Sequence, residues 1–563
     1  MILARAPIAA LLTRALCLAL SAALAWPASA DAQQTTAPRL PALGDAATDE
    51  LSIGDERRLG DQIIREARGD PAWLDDPVLL AYVRSLWRPL VEAAIARGDI
   101  DASLERQFGW EVFLVRDRSV NAFAWPGGYV GVHLGLIAIT NNRDQLASVL
   151  AHELSHVTQR HIARGIGNSR NATLLGVAAI LLGVLAASRS NNIDAANAAI
   201  MGGQGAAIQG QLNFSREMER EADRLGFAVL AGAGFATGGM AQMFERLQGN
   251  AAVGDSGAFP YLRTHPLTVE RISEARNRML LAGAEATPRG TLMHALMQAR
   301  ARVLMDKSTD ALQRLAGGGT SSPVPADRIA ALYMGALAQA QLGRGPAAEE
   351  MAQQAQHQAQ NLASREPEAE RALLLLQAES RLAASDGAGA VRLLEVSDLP
   401  RTATAERTAG ARSGGSGDRS LLTLRAQAAL KWHERDAPAA APTVRASTEA
   451  LQTWLAENVQ DAAAWELLSS TAEAMGQKLR STRASAEARA AQGDLNGAID
   501  RLRAAQAAAR SAPAQRDFID ASIVDTRLRQ LLAERRQIAL DARQRGGGGG
   551  GGEGGSGGDR EGR

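Results

Sequence analysis

Cysteine is nearly absent: Cys17 is the only one in 563 residues. It sits in the apolar stretch Ala15–Leu24, which follows Arg5 and Arg14 and precedes Ala28-Ser29-Ala30. Positive charge, a short apolar run and a small-residue site, in that order, predict a signal peptide over residues 1–30, cleaved after Ala30. Cys17 lacks the neighbours of a lipoprotein box, so the exported chain keeps no thiol, and no disulfide can staple it in an oxidising compartment. Aromatic residues are also scarce, 4% of the chain, while Ala and Leu abound, which favours helix over sheet. An excess of either charge is missing as well: 61 Lys+Arg balance 61 Asp+Glu. No long-range attraction to nucleic acid or anionic lipid is therefore written into the whole chain. Lysine is confined to Lys307, Lys431 and Lys478, and the arginines are scattered among acids, as a codon bias would leave them. The apolar runs Ala15–Leu24 and Ala172–Ala187 are both shorter than the roughly twenty residues that span a bilayer comfortably.

What is present is a motif. His152-Glu153-Leu154-Ser155-His156 places two histidines four apart, so on a helix both imidazoles stack on one face and reach one metal ion. Glu153, beside the first, can hold a water at the metal without binding the metal itself. Zinc lowers the pKa of a bound water from about 15.7 to about 7, and a neighbouring carboxylate can then take the proton. The flanks suit a helix: Asn141, Asn142 and Asp144 offer caps, and Leu146, Val149, Leu150, Leu154 and Val157 form an apolar stripe.

A catalytic zinc needs a third protein ligand. On a continuous helix His161, nine residues after His152, lies about half a turn away, which reads as a surface or helix-terminal histidine. The better source is Glu217-Met218-Glu219-Arg220-Glu221-Ala222-Asp223. Glu219 and Asp223 stack on one helical face, so Glu219 can ligate zinc while Asp223 accepts the second N–H of a ligand histidine. Glu221 points about 200° away from Glu219 and cannot share the metal.

These motifs, with Asn121-Ala122-Phe123-Ala124-Trp125-Pro126-Gly127-Gly128 and Thr264-His265-Pro266-Leu267-Thr268, carry a resemblance. The sequence resembles the BepA-like periplasmic zinc metallopeptidases with a C-terminal tetratricopeptide array, soluble relatives of the HtpX and CAAX-prenyl-protease membrane enzymes. The resemblance implies one zinc per subunit on His152, His156 and Glu219, with Glu153 as general base. It implies that His265 approaches the zinc, either as an added ligand in a latent state or as a donor to the tetrahedral oxyanion. It also implies a role in outer-membrane protein quality control, as protease and as chaperone, on unfolded or misassembled outer-membrane proteins, with the repeats meeting the assembly machinery. A non-proteolytic chaperone or repeat scaffold is the alternative, although an intact Glu153 argues against a purely structural zinc.

The remaining chain fits an α+β zincin-type metallopeptidase domain followed by an all-α tetratricopeptide-like helical repeat domain. The expected boundaries are a linker at 31–50, the peptidase at 51–285, the repeats at 290–545 and a disordered Gly-rich tail at 546–563. A helical pattern runs from Ile53 to Ile95, and Phe108–Val115 alternates like a strand. Asn121–His133 reads as a Pro-Gly-Gly turn feeding a second strand. Spacing alone cannot separate a plain hairpin from a strand that receives substrate. By resemblance, Gly128, Tyr129, Val130 and Gly131 are the strand to which substrate adds its backbone, with the glycines allowing close approach. For Ala172–Ala187 three readings stand: core helix, membrane-inserting hairpin, or a surface for membrane or partner contact. Near the end, Ala484, Ala486, Ala488, Ala491, Gly493, Gly497 and Ala498 are spaced as in a tetratricopeptide helix pair, whose small residues let helices pack closely.

Overall fold

The computed structural model describes residues 51–167, 216–251, 259–283, 287–288, 290–319, 321–363, 366–396, 418–511 and 518–546. The predicted signal peptide and linker, the apolar run 172–187 and the tail beyond 546 lie outside the described residues.

Helix α1 (Ile53–Arg68) starts at Ser52, whose hydroxyl accepts the Asp55 N–H, and stops at Gly69. A short strand β1 (Trp73–Leu74) follows, then α2 (Pro77–Arg97), capped by Asp76 and ended by the left-handed Gly98. The helical pattern expected over 53–95 is thus two helices broken by a strand. Trp73 stacks on Phe113 at 4.8 Å instead of lying on a helix face. Helix α3 (Ala102–Gln107) leads into β2 (Glu111–Val115), β3 (Ala122–Trp125) and β4 (Tyr129–His133). The four-stranded sheet has the order β1-β2-β4-β3, with β2 and β4 parallel and the other pairs antiparallel.

This order corrects the substrate-strand expectation for residues 128–131. Tyr129, Val130 and Gly131 are paired on both sides, with Glu111, Val112 and Phe113 of β2 and with Trp125, Ala124 and Phe123 of β3. The room at the glycines is already used. A Cβ on Gly131 would lie 2.3 Å from the Phe123 ring and 2.9 Å from that of Phe113. Gly128, at φ +90°, takes a turn conformation that only glycine adopts readily, tight against Phe108 and Trp110. Val130 is in the core, and Tyr129 turns its hydroxyl to Asp61. The open edge belongs to β3: among the described residues no strand pairs with its far side.

After α4 (Leu134–Ile139), helix α5 (Arg143–Thr158) begins at Asn142, whose side chain accepts the Gln145 N–H at 2.9 Å. It is buried on every face from Asp144 to Thr158, so it forms the centre of the domain and not its surface. At Arg160, φ +50°, the helix breaks and α6 (His161–Gly167) sets off in a new direction. Such a backbone costs a non-glycine residue of order 1 kcal/mol or more. It is held by the buried ion pair of Arg160 with Glu56 at 2.8 Å and by a bond from its guanidinium to the Leu51 carbonyl.

Two helices pack on α5 at glycine contacts. In α7 (Arg216–Gly232), a Cβ on Gly226 would sit 3.1 Å from the Ala151 carbonyl oxygen; in α8 (Gly238–Ala251), one on Gly239 would sit 2.5 Å from that of Asp144. The short α9 (Tyr261–Thr264) and α10 (Val269–Ala282) complete this part. Thr268 caps α10, accepting the Arg271 N–H as expected.

The remaining described residues form helices: α11 (Leu292–Leu304), α12 (Thr309–Leu315), α13 (Pro325–Gln341), α14 (Gly345–Ala363), α15 (Pro367–Ala383), α16 (Gly387–Val396), α17 (Arg419–His433), α18 (Ala437–Glu457), α19 (Ala462–Ala474), α20 (Lys478–Ala491), α21 (Leu495–Ser511) and α22 (Phe518–Gly546). From α13 onward each helix packs on its successor. Ala484, Ala486, Ala488, Ala491 and Ala498 are buried, as their spacing requires.

One core runs across the expected boundary near residue 285, from Leu79 and Leu150 through Leu296 and Tyr333 to Leu376 and Ala428. Arg300 of α11 is buried there. It makes bonds of 2.8 Å to both oxygens of Asp76, 2.7 Å to Glu379 and 2.9 Å to the Tyr333 hydroxyl. His294 lies between the Tyr82 hydroxyl at 2.7 Å and the Thr140 carbonyl at 2.9 Å.

Candidate metal centre

Helix α5 carries His152 and His156 one turn apart, with Nε2 atoms 3.0 Å from each other. The close crossing at Gly226 brings α7 against them. Glu219 reaches within 3.5 Å of each Nε2, through Oε2 for His152 and Oε1 for His156. His265, at the end of α9, enters from the opposite side, its Nδ1 2.9 Å from Glu219 Oε1 and 3.4 Å from His152 Nε2. All four side chains are buried, and their donor atoms lie within 4.8 Å of one another.

Zinc takes His nitrogens and a carboxylate oxygen at about 2.0–2.2 Å in a tetrahedron, which places neighbouring donors about 3.3 Å apart. The nearest separations here, 2.9 to 3.5 Å, fit that spacing. The donor set of three imidazoles and one carboxylate suits zinc, and burying these polar atoms against one another is costly without a cation between them. The cluster therefore fits the metal expected from the sequence.

The surrounding groups fix the donors. Asp223 Oδ1 stands 3.0 Å from His152 Nδ1, the position expected for it. Arg271 binds both Asp223 oxygens at 2.7 and 2.8 Å, pairs with Glu219 at 2.7 Å, and donates to the Pro266 carbonyl at 2.9 Å. One guanidinium thus ties the α7 carboxylates to the loop bearing His265. That loop is packed, not free: Tyr261 stacks on His265 with ring centroids 4.7 Å apart, and His265 is 2% exposed.

Electrostatics follow from burial and pairing. Burial opposes charge on His152, but Asp223 and Glu219 outweigh it and raise the imidazole to about 9 in the metal-free arrangement. Burial, reinforced by His152, holds His156 well below the ordinary histidine value. Burial would raise Glu219, yet His265 and His152 pull it far below the usual carboxylate range. Glu153 sits beneath the cluster, fully buried, 3.6 Å from His265 Nε2, and burial pushes its carboxyl upward. Among the described residues no hydrogen bond of ordinary geometry closes on either of its oxygens. The backbone amide of Ala124, on the open-edged strand β3, approaches it.

Residues 88–279 match peptidase family M48. The matched span holds all of the donors above and strands β2, β3 and β4 beside them. The chain is 40% identical over 242 residues to the putative beta-barrel assembly-enhancing protease of Vibrio cholerae, covering 42% of this chain and 47% of that protein. To the beta-barrel assembly-enhancing protease of Escherichia coli K12 it is 38% identical over 252 residues, 45% of this chain and 48% of that one. To the mitochondrial metalloendopeptidase OMA1 of Saccharomyces cerevisiae it is 32% identical over 197 residues, 34% and 53% of the two chains. The matched part spans about half the length of these relatives.

Two residues near the cluster escaped the sequence reading. His161 is at a helix start but fully buried, its Nδ1 2.9 Å from His156 Nδ1. Glu221 turns away from the cluster as expected, yet meets His161 Nε2 at 3.1 Å and Arg164 at 3.0 Å. The bond from His161, with help from Arg164, holds Glu221 down to about 2. The break at Arg160 produces this arrangement, and neither glycine nor proline marks it in the sequence.

Proposed function

We propose that the chain is a zinc endopeptidase with one zinc per subunit, held by His152, His156 and Glu219, with Glu153 as general base. The observation that carries this reading is a buried carboxylate, Glu153, adjoining a buried three-histidine, one-carboxylate cluster inside the span that matches peptidase family M48. Zinc, when bound, supplies Lewis acidity that polarises a peptide carbonyl and acidifies water. Glu153 accepts the proton of the attacking water and returns it to the leaving amine. Burial favours the first act, because raising the carboxyl makes its carboxylate a stronger base toward the attacking water. Asp223 and Arg271 orient His152 and Glu219. Substrate adds its backbone to the open edge of β3, at Ala122–Trp125, which faces α5, and not to β4.

His265 Nδ1 lies among the donors, in the place that water or substrate needs, which favours a latent resting state over an oxyanion role. The names of the relatives, and the predicted export signal, support a periplasmic setting with misfolded or misassembled outer-membrane proteins as substrates. The sequential packing of α13–α22 supports a tetratricopeptide-like array that engages outer-membrane assembly partners. Among the described residues no helix is long and apolar enough to cross a membrane. The deciding experiment is zinc content together with casein hydrolysis for wild type and Glu153→Gln. The variant is expected to keep zinc and lose about a hundred- to ten-thousandfold in rate. Near-normal hydrolysis with zinc bound would refute the assignment of the base.

A further inference from the structure

We infer that His161 and Glu221 are positioning residues that select the metal-competent tautomer of His156. The inference rests on the zinc-site reading above. His152 and His156 offer Nε2 to the cluster, so each neutral ring must carry its proton on Nδ1. For His152 the neighbour at Nδ1 is the carboxylate of Asp223, which can only accept. For His156 the neighbour is another imidazole, and two facing Nδ1 atoms 2.9 Å apart leave the direction of the bond undecided. If His161 donated to His156, the His156 proton would move to Nε2 and close that nitrogen to the metal.

Glu221 removes the ambiguity. It stands 3.1 Å from His161 Nε2, and an ionised carboxylate accepts only. A bare Nε2 lone pair facing it would be repulsive, so His161 carries its proton on Nε2 and presents a lone pair at Nδ1. His156 Nδ1–H then donates to His161, and His156 Nε2 is left open. Arg164, 3.0 Å from the same Glu221 oxygen, keeps that carboxylate ionised and in place. The relay Arg164–Glu221–His161–His156 thus does with a second imidazole what Asp223 does directly for His152. The break at Arg160 is what turns His161 back to face His156. Partners of this kind typically change metal affinity by about ten- to a hundredfold.

The test uses the full chain with histidine ¹⁵N labelling, which eight histidines make assignable. Zinc affinity is measured by chelator competition, and ring-nitrogen spectra are recorded before and after zinc. Wild type is expected to show His156 protonated at Nδ1 before zinc is added. In Glu221→Gln the side-chain amide both donates and accepts, so both His156 tautomers are expected, with zinc bound about tenfold more weakly. His161→Phe keeps the ring volume, removes the acceptor, and is expected to weaken zinc similarly while leaving the circular dichroism spectrum unchanged. A single wild-type tautomer in Glu221→Gln, with affinity within about threefold of wild type in both variants, overturns the inference. Glu219→Gln run in parallel separates the two levels. If it loses zinc while the other two keep it, only the relay fails; if it too keeps zinc, the ligand assignment itself fails.

Discussion

His294 makes a measurable statement about acid stability. Its ring is buried between Tyr82 and Thr140 where α11 meets α2 and the end of α4, and burial lowers it from 6.5 to about 4. The unfolded chain therefore binds a proton at this residue that the folded chain refuses between about pH 6.5 and pH 4. Unfolding takes up protons in that window, so stability rises with pH across it. The contribution is complete above about pH 6.5, falls as the pH drops, and is lost below about pH 4. At 1.36 kcal/mol per pH unit, the span from 6.5 to about 4 amounts to roughly 3 kcal/mol. His294→Gln is expected to flatten the wild-type pH dependence of urea unfolding by about that amount. The Thr140 carbonyl keeps a donor in the variant, because Gln298 also reaches it at 2.7 Å. Taking the difference between the two proteins cancels the other carboxylates and the pH dependence of metal binding. Parallel stability curves from pH 8 to pH 4, or a His294 NMR titration near 6.5, would refute the reasoning.

His265→Ala is expected to raise hydrolysis of unfolded substrates, since it opens the fourth donor position; lower activity at unchanged zinc content would transfer His265 to a catalytic role. In Gly226→Val the Cβ alone would lie 3.1 Å from the Ala151 carbonyl oxygen, and the added methyls push α7 off α5. A cost of about 1–3 kcal/mol and weaker zinc binding are expected by thermal melts and chelator competition. Arg300→Met leaves Asp76 and Glu379 without their shared cation in the core, and a loss of about 3–5 kcal/mol is expected in urea titrations. A loss under 1 kcal/mol would show those acids to be adequately solvated.

Helix periodicity made two pairs legible, His152 with His156 and Glu219 with Asp223, while the meeting of the two helices was implied only by the resemblance. The cap residues Asn142 and Thr268 were legible for a similar reason, since each acts within three residues. Sheet order was not. Whether a strand is an edge depends on which distant segment pairs with it, and β2 comes to lie in parallel beside β4, leaving β3 outside. The glycines expected to admit substrate instead admit Phe123, Phe113 and Phe108 of the same domain. His161 was hidden by the assumption of a continuous helix. The strain at Arg160 is held by Glu56, 104 residues away in sequence, which no local pattern announces. The boundary near residue 285 was drawn from a change in composition, whereas packing ignores it.

Arg160, Arg271 and Arg300 also impose an order in time. A ribosome delivers the chain from its first residue, and domains fold as their parts emerge. Glu56 waits for Arg160, Glu219 and Asp223 wait for Arg271, and Asp76 waits for Arg300 and then for Glu379. Until residue 271 has been made, Glu219 and Asp223 lack the guanidinium that joins them, and until α15 arrives Arg300 lacks Glu379. A growing chain therefore carries the histidine pair for more than a hundred residues before the walls of the metal centre exist. The walls of the metal centre are complete only in a chain that extends past Arg271.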